Sequence, residues 1–313
     1  MSELQKSCGH HTVTGLSILM PARFTIAGFF ALLFMSPIAR GQTQEWISIR
    51  GAKSAAEPVT AAAAQMKKDV GLDFTVATDG GSATAVSSIA EEVVDVALLN
   101  RPMTALEKAA YPNRNFVETR FGMQALLLVV PAQVWNSGVH ALTKEQLRDV
   151  YEGKVKNWKA LGGDDRKLVF FNRNISRSQW DLLMLYLYDD IRKAPLSQAD
   201  VLEESSDVTT TVEFDSSAIS FLDYYAPRTD RVHALGIKLP DGKIMDPTVA
   251  NIAAGRYDIS RGLFITTSRK PAGKTRRFVD FVLGPAGQEW VKKVGHIPNT
   301  ELEKAKQADA ESR

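Results

Sequence analysis

The stretch EWISIRGAKSAAEPVTAAAAQMKKDV (45–70) reads as strand, turn and helix. Gly51 permits a tight turn, Ser54 sits where the helix should begin, and the residues after it keep helical spacing down to a lysine pair. The same order recurs twice more. A strand at 72–77 feeds TDGGSATAVSSIAEE, in which Gly80, Gly81 and Ser82 precede a helix, and a strand at 94–99 ends in Asn100-Arg101-Pro102 before a helix starting near Thr104. This alternation predicts an α/β fold with a parallel sheet and ligand contacts at the carboxyl ends of the strands. Each loop alone has a structural explanation: glycine for the turn, serine for the cap, asparagine for the turn. Together they share one donor-rich chemistry.

A fourth loop of this kind is FNRNISRSQWDL (171–182), between the short strand 167–171 and a helix. Arg173, Ser176 and Ser178 would bring a guanidinium, two hydroxyls and unpaired backbone N–H groups to one spot, which is the chemistry of an oxyanion pocket. The competing explanation is that one serine caps the helix and Arg173 is a surface charge.

Two extended runs, QALLLVVPAQVW (124–135) and YDISRGLFITT (257–267), read as crossings between two lobes. The expected division is a first lobe from 42–123 and 258–305, a second lobe from 124–257, and a flexible tail at 306–313. A hairpin is expected at 238–246 around Asp241-Gly242. Trp46, Trp158, Trp180 and Trp290 read as packing residues.

At the amino end, Arg23 precedes a twelve-residue apolar run (24–35) followed by SPIARG, which reads as a signal peptide cleaved after Gly41. Twelve apolar residues do not span a bilayer, which needs about twenty. A start at Met20 would leave a conventional short leader. Cleavage removes three basic residues and one acidic one, leaving 35 of each, a balance that argues against a nucleic-acid surface. It also removes Cys8, the single cysteine, so thiol chemistry is excluded from the mature chain. His140, His233 and His296 are isolated and lack metal-ligand spacing, so neither a metal nor another cofactor is expected.

Four segments carry a resemblance to a known family: LRDVYEGKVKNW (147–158), VDVALLNRPMTALE (94–107), SSAISFLDY (216–224) and FVLGPAGQEWVKKVGHIP (281–298). Over roughly 45–300 the chain resembles the periplasmic phosphate-binding proteins of ABC transporters, the PstS-like branch of the type II periplasmic binding fold. The resemblance implies two lobes, each a mixed, mostly parallel sheet flanked by helices. It also implies a dehydrated anion, most simply inorganic phosphate, held between the lobes for an inner-membrane ABC permease, by a monomer that is not an enzyme. Matched position by position, the implied contacts are Ser54, the backbone N–H of Ala55, Ser82, Asn100, Arg101, Arg173, Ser176, Arg177 and Ser178. Two departures stand out. Asn100 replaces an aspartate that accepts the proton of hydrogen phosphate in that family, which would weaken discrimination against sulfate. Arg177 replaces a glycine, and whether it lines the cleft or faces solvent is left open. A ligand-altered sensor or scaffold of the same fold, and a phosphate-ester hydrolase, are the alternative functions.

Overall fold

The computed structural model describes residues 45–311, so the expected leader and its cleavage point lie outside the described residues. Strand β1 (Glu45–Gly51) lies between β2 (Leu72–Ala77) and β3 (Val96–Leu99) and is parallel to both, with Ile49 opposite Val76 on one side and Val96 on the other. Parallel neighbours require a crossover, and α1 (Lys53–Ala61), a second helix at Ala63–Val70 and a third at Gly81–Ala90 supply it. Along β1 the burial alternates, placing Ile47 and Ile49 in the core. Gly51 is required by proximity: a Cβ there would sit 2.4 Å from Leu98 O, so any side chain would push β1 away from β3.

Strand β4 (Val117–Pro131) is the spine of the molecule. It pairs antiparallel with the return strand Ser260–Thr267 through its first part, then with Ala218–Asp223 and Val232–Lys238 through its second. All of 121–131 is buried. Phe121 joins one core with Ile47, Ile49, Met66 and Phe278, whereas Leu126, Leu128 and Val130 join another with Trp158, Leu183 and Phe221. Two cores served by one long strand give the chain two halves. Its sheets are mixed, as expected, but antiparallel pairs dominate around β4, because strands that cross between halves and return must run in opposite directions.

The hairpin at 238–246 forms, with Ile237 opposite Met245. Trp46 differs from expectation and is exposed, whereas Trp158 is fully buried. The carboxyl end also differs from the expected loose tail: Asn299–Glu311 is a helix. Leu302 anchors it in the second core, and the ion pairs Arg120 to Glu303 and Arg256 to Asp309 fasten its polar faces, contacts too distant in sequence to be visible there. No helix among the described residues is long and apolar enough to cross a membrane.

Candidate functional site

The carboxyl ends of β1, β2 and β3 lie at one end of a parallel trio, so the loops that follow them gather there. Ser54, in the first turn of α1, is 1 % exposed and its hydroxyl has no hydrogen-bond partner. Ala55 is buried beside it, but its N–H donates to Ala52 O at 3.0 Å and is therefore engaged. After β2, Gly80 and Gly81 both take positive φ, 75° and 59°, a turn that side chains resist. That turn delivers Ser82 to a buried position against the loop after β3. Asn100 N–H donates to Ser82 Oγ at 3.1 Å, and Ser82 Oγ donates to Asn100 Oδ1 at 2.8 Å. With its oxygen occupied, the Asn100 amide has its Nδ2 donors left over.

Arg101 is engaged by an acidic neighbour. Its guanidinium forms a two-pronged ion pair with Glu107, at 2.8 and 2.6 Å, and a third bond to Pro102 O. Glu107 also closes the capping box of the helix Ala105–Ala110 with Thr104. The Arg101 hydrogen bond holds the Glu107 carboxyl down at about 2, so the arginine faces a full negative charge.

The strand Val169–Phe170 pairs parallel with Ala218–Asp223 and leads to Arg173, itself paired in register with Leu202. Arg173 is 2 % exposed; Nη2 donates to Glu203 O at 3.1 Å, while Nε and Nη1 have no partner. Burial lowers its pKa, yet a guanidinium keeps its proton. Neither serine caps the following helix, Ser178–Tyr188, because the N-cap residue is Arg177 and no side chain caps it. Arg177 points its Nη2 to Glu204, at 2.5 Å. Ser176 is exposed; its N–H is taken by Asn174 Oδ1, and its carbonyl accepts from Lys53 Nζ at 3.1 Å, joining the α1 loop to the Arg173 loop. Ser178 is buried, with Oγ accepting from Gln124 Nε2 at 3.0 Å and its carbonyl accepting from Arg261 Nη2 at 2.9 Å.

Several residues of this constellation carry little signal in the sequence. Gln124 is fully buried on β4 and also donates to Asp223 Oδ1 at 3.1 Å, while Gln179 Nε2 donates to Asp223 Oδ2. His296, with no exposed surface, donates from Nε2 to Ser54 O at 3.2 Å and turns Nδ1 toward Asp223 at 3.7 Å. Gln124 has one mark, a lone amide opening an apolar run. Nothing local marks His296.

Glu57, half-buried on α1, has Oε2 3.8 Å from His296 Nε2. Burial first, then Asp223, push its carboxyl up from 4.5 to about 7, against the opposing pull of Arg177 and Arg173. Between those values the folded chain holds a proton that the unfolded chain has released, so this group makes stability fall as pH rises across the window. Glu57→Gln is expected to remove that slope: in urea unfolding at about pH 5 and about pH 8, the wild type should lose more stability than the variant. A wild-type midpoint that declines no more than the variant's would refute this.

A cavity of about 840 Å³ lies elsewhere, lined by Tyr151, Phe170, Tyr188 and Leu196 among others, and includes none of the nine expected contacts. Size therefore does not mark the site. Two of the expected contacts keep buried donors without partners, the guanidinium of Arg173 and the hydroxyl of Ser54, and such donors suit an acceptor-only, negatively charged group.

A family model described as a PBP superfamily domain matches residues 36–286. The phosphate-binding protein PstS of Bacillus subtilis is 28% identical over 260 residues, covering 82% of this chain and 82% of its own length. That of Borreliella burgdorferi is 24% identical over 223 residues, covering 69% of this chain and 77% of its own length. Among solved structures, a possible phosphate binding protein from Planctomyces limnophilus superposes with a TM-score of 0.70 at 24% identity, over 85% of this chain and 99% of that one. An ABC-type phosphate transport receptor from Vibrio cholerae does so with a TM-score of 0.64 at 24% identity, over 81% and 99%. Likeness at these identities concerns the fold.

Proposed function

The chain belongs to the PBP superfamily, and from that premise we propose that it captures a tetrahedral oxyanion, inorganic phosphate foremost, in the periplasm and hands it to an ABC permease. The observation that carries this reading is the buried Arg173 with two nitrogens, Nε and Nη1, without partners, in the company of the unpaired Ser54 hydroxyl. A dehydrated dianion needs several oriented donors to offset its lost hydration, and a bond to a charged group contributes about 1.5–3 kcal/mol. The proposed contacts are Arg173, Ser54, Ser178, the Nδ2 of Asn100 and the backbone N–H of Ser82, whose hydroxyl proton is spent on Asn100 Oδ1, with the backbone around Ser176 lining the entrance. The cleft would lie between 42–123 with 258–305 on one side and 124–257 on the other. Lys53 reaching Ser176 O supports closure of such a cleft around its ligand.

Binding is preferred to catalysis for a specific reason. The Ser178 oxygen receives an N–H from Gln124, where a nucleophile would give its proton to a base. The supporting similarity to named phosphate-binding relatives concerns binding as well.

Thermal unfolding with millimolar phosphate, arsenate, sulfate, molybdate or tungstate tests the reading. Phosphate is expected to raise the melting temperature, since a ligand at about a hundred times its Kd adds about 2.7 kcal/mol of stability. A melting temperature unmoved by every oxyanion would instead favour a sensor or scaffold that has lost its ligand.

A further inference from the structure

Resting on the oxyanion reading above, we propose that Gln124 is a positioning residue that fixes the Ser178 hydroxyl as a hydrogen-bond donor to the anion. The polarity is set at Arg261, whose guanidinium contains donors alone. Its Nε donates to Gln124 Oε1 at 2.9 Å, which decides which way the amide faces. Nε2 then lies against Ser178 Oγ at 3.0 Å and Asp223 Oδ1 at 3.1 Å, and both must accept. A serine hydroxyl has a single proton. With one of its two lone pairs engaged by Gln124, the hydroxyl keeps that proton for another acceptor, and no group among the described residues takes it.

The cost of burying Gln124 supports a directed role. It is fully buried at the head of 125–130, an apolar run buried throughout, where an amide is tolerated only when its hydrogen bonds are made. Arg261 and Gln124 come from the two strands paired at this point, opposite each other in register, so their mutual orientation is held by the sheet. The pair of Ser82 and Asn100 is oriented the other way, the hydroxyl giving its proton to Oδ1, and there the free donors are those of the amide Nδ2. Such a lining asks its ligand for lone pairs and offers protons. Sulfate satisfies it fully, and monohydrogen phosphate satisfies it through its unprotonated oxygens.

The test is titration calorimetry on the processed chain at about pH 8, where phosphate and sulfate are both dianions and an added charge acts on them alike. The wild type is expected to bind both. Gln124→Glu keeps an acceptor for Arg261 but sets a carboxylate oxygen against Ser178, which reverses the hydroxyl. Sulfate affinity should then fall about tenfold more than phosphate affinity, because phosphate still has a proton to give to the exposed lone pair. Ser178→Ala and Gln124→Met should each weaken sulfate by about tenfold, and the double variant by no more than either. If Gln124→Met does not fold, the glutamate variant and Ser178→Ala carry the test. Equal losses of sulfate and phosphate in the glutamate variant, additive losses in the double variant, or a wild type that binds phosphate and not sulfate overturn the proposal. A wild type that binds neither overturns the oxyanion reading itself, and this inference with it.

Discussion

Arg173→Met is expected to weaken oxyanion binding by about a hundredfold or more while leaving the ligand-free protein at least as stable as the wild type. The first half follows from the two free nitrogens, Nε and Nη1, of the buried guanidinium. Two charge-assisted bonds at about 1.5–3 kcal/mol each amount to at least two factors of ten in Kd. The second half follows from what the arginine does without a ligand. A buried cation with a single hydrogen bond, to Glu203 O, carries a desolvation cost that an unbranched apolar chain of similar reach does not. Methionine is flexible enough to fill the same channel. Calorimetry and urea unfolding on one preparation separate the two effects. Affinity retained within tenfold would remove Arg173 from the proposed anion contacts, and an unfolding free energy falling by several kcal/mol would make it a structural residue. Arg173→Lys keeps the charge but loses the planar fork, so it should recover part of the affinity and not all of it.

The architecture is legible in the sequence where structure is local. Ser54, Ser82 and Asn100 follow strands, so a strand-helix alternation is enough to place all three at one end of a parallel sheet. The caps at Thr104 and Thr143 are written in the sequence for the same reason, each with its partner three residues on. The pairing of Arg101 with Glu107 is not legible there, because Glu107 stands six residues away, across a loop and a helix start, where spacing alone gives no sign of it. The polar network beneath Ser178 is invisible in the sequence for a stronger reason. Gln124, Asp223, Arg261 and His296 come from four distant segments, and apart from Gln124, a lone amide opening an apolar run, each looks like an ordinary strand or loop residue. The histidines make the point: His140 and His233 both pack on the Trp135 ring, whereas His296, no different in local sequence, lies buried between two carboxylates. Burial of a polar side chain is a property of the assembled fold, and only long-range contacts decide which one is buried.

Trp158→Ala is expected to destabilise the fold by about 3–5 kcal/mol, from lost burial and the cavity left behind. At about 2–4 °C per kcal/mol for chains near this size, the melting temperature should drop by about 10 °C. Trp158 is fully buried in the core it shares with Leu168, Phe170 and Leu182, and the segment that holds it is fixed by Asn157 capping Lys159 N–H at 2.9 Å. Its indole N–H donates to Ser217 O at 3.1 Å, and the same carbonyl accepts Val169 N–H at 2.9 Å. That second bond begins the ladder in which Val169 faces Ala218 and Phe170 faces Ile219, the register that delivers Arg173 to its place. The tryptophan thus stabilises a core and also steadies the strand on which the proposed anion contact depends. Trp158→Phe keeps most of the apolar volume and loses the N–H donor, so it should recover more than half of the stability and bind oxyanion nearly as well as the wild type. A loss below about 1 kcal/mol in the alanine variant would mean that the surrounding core collapses into the space, which the close packing of a protein interior argues against.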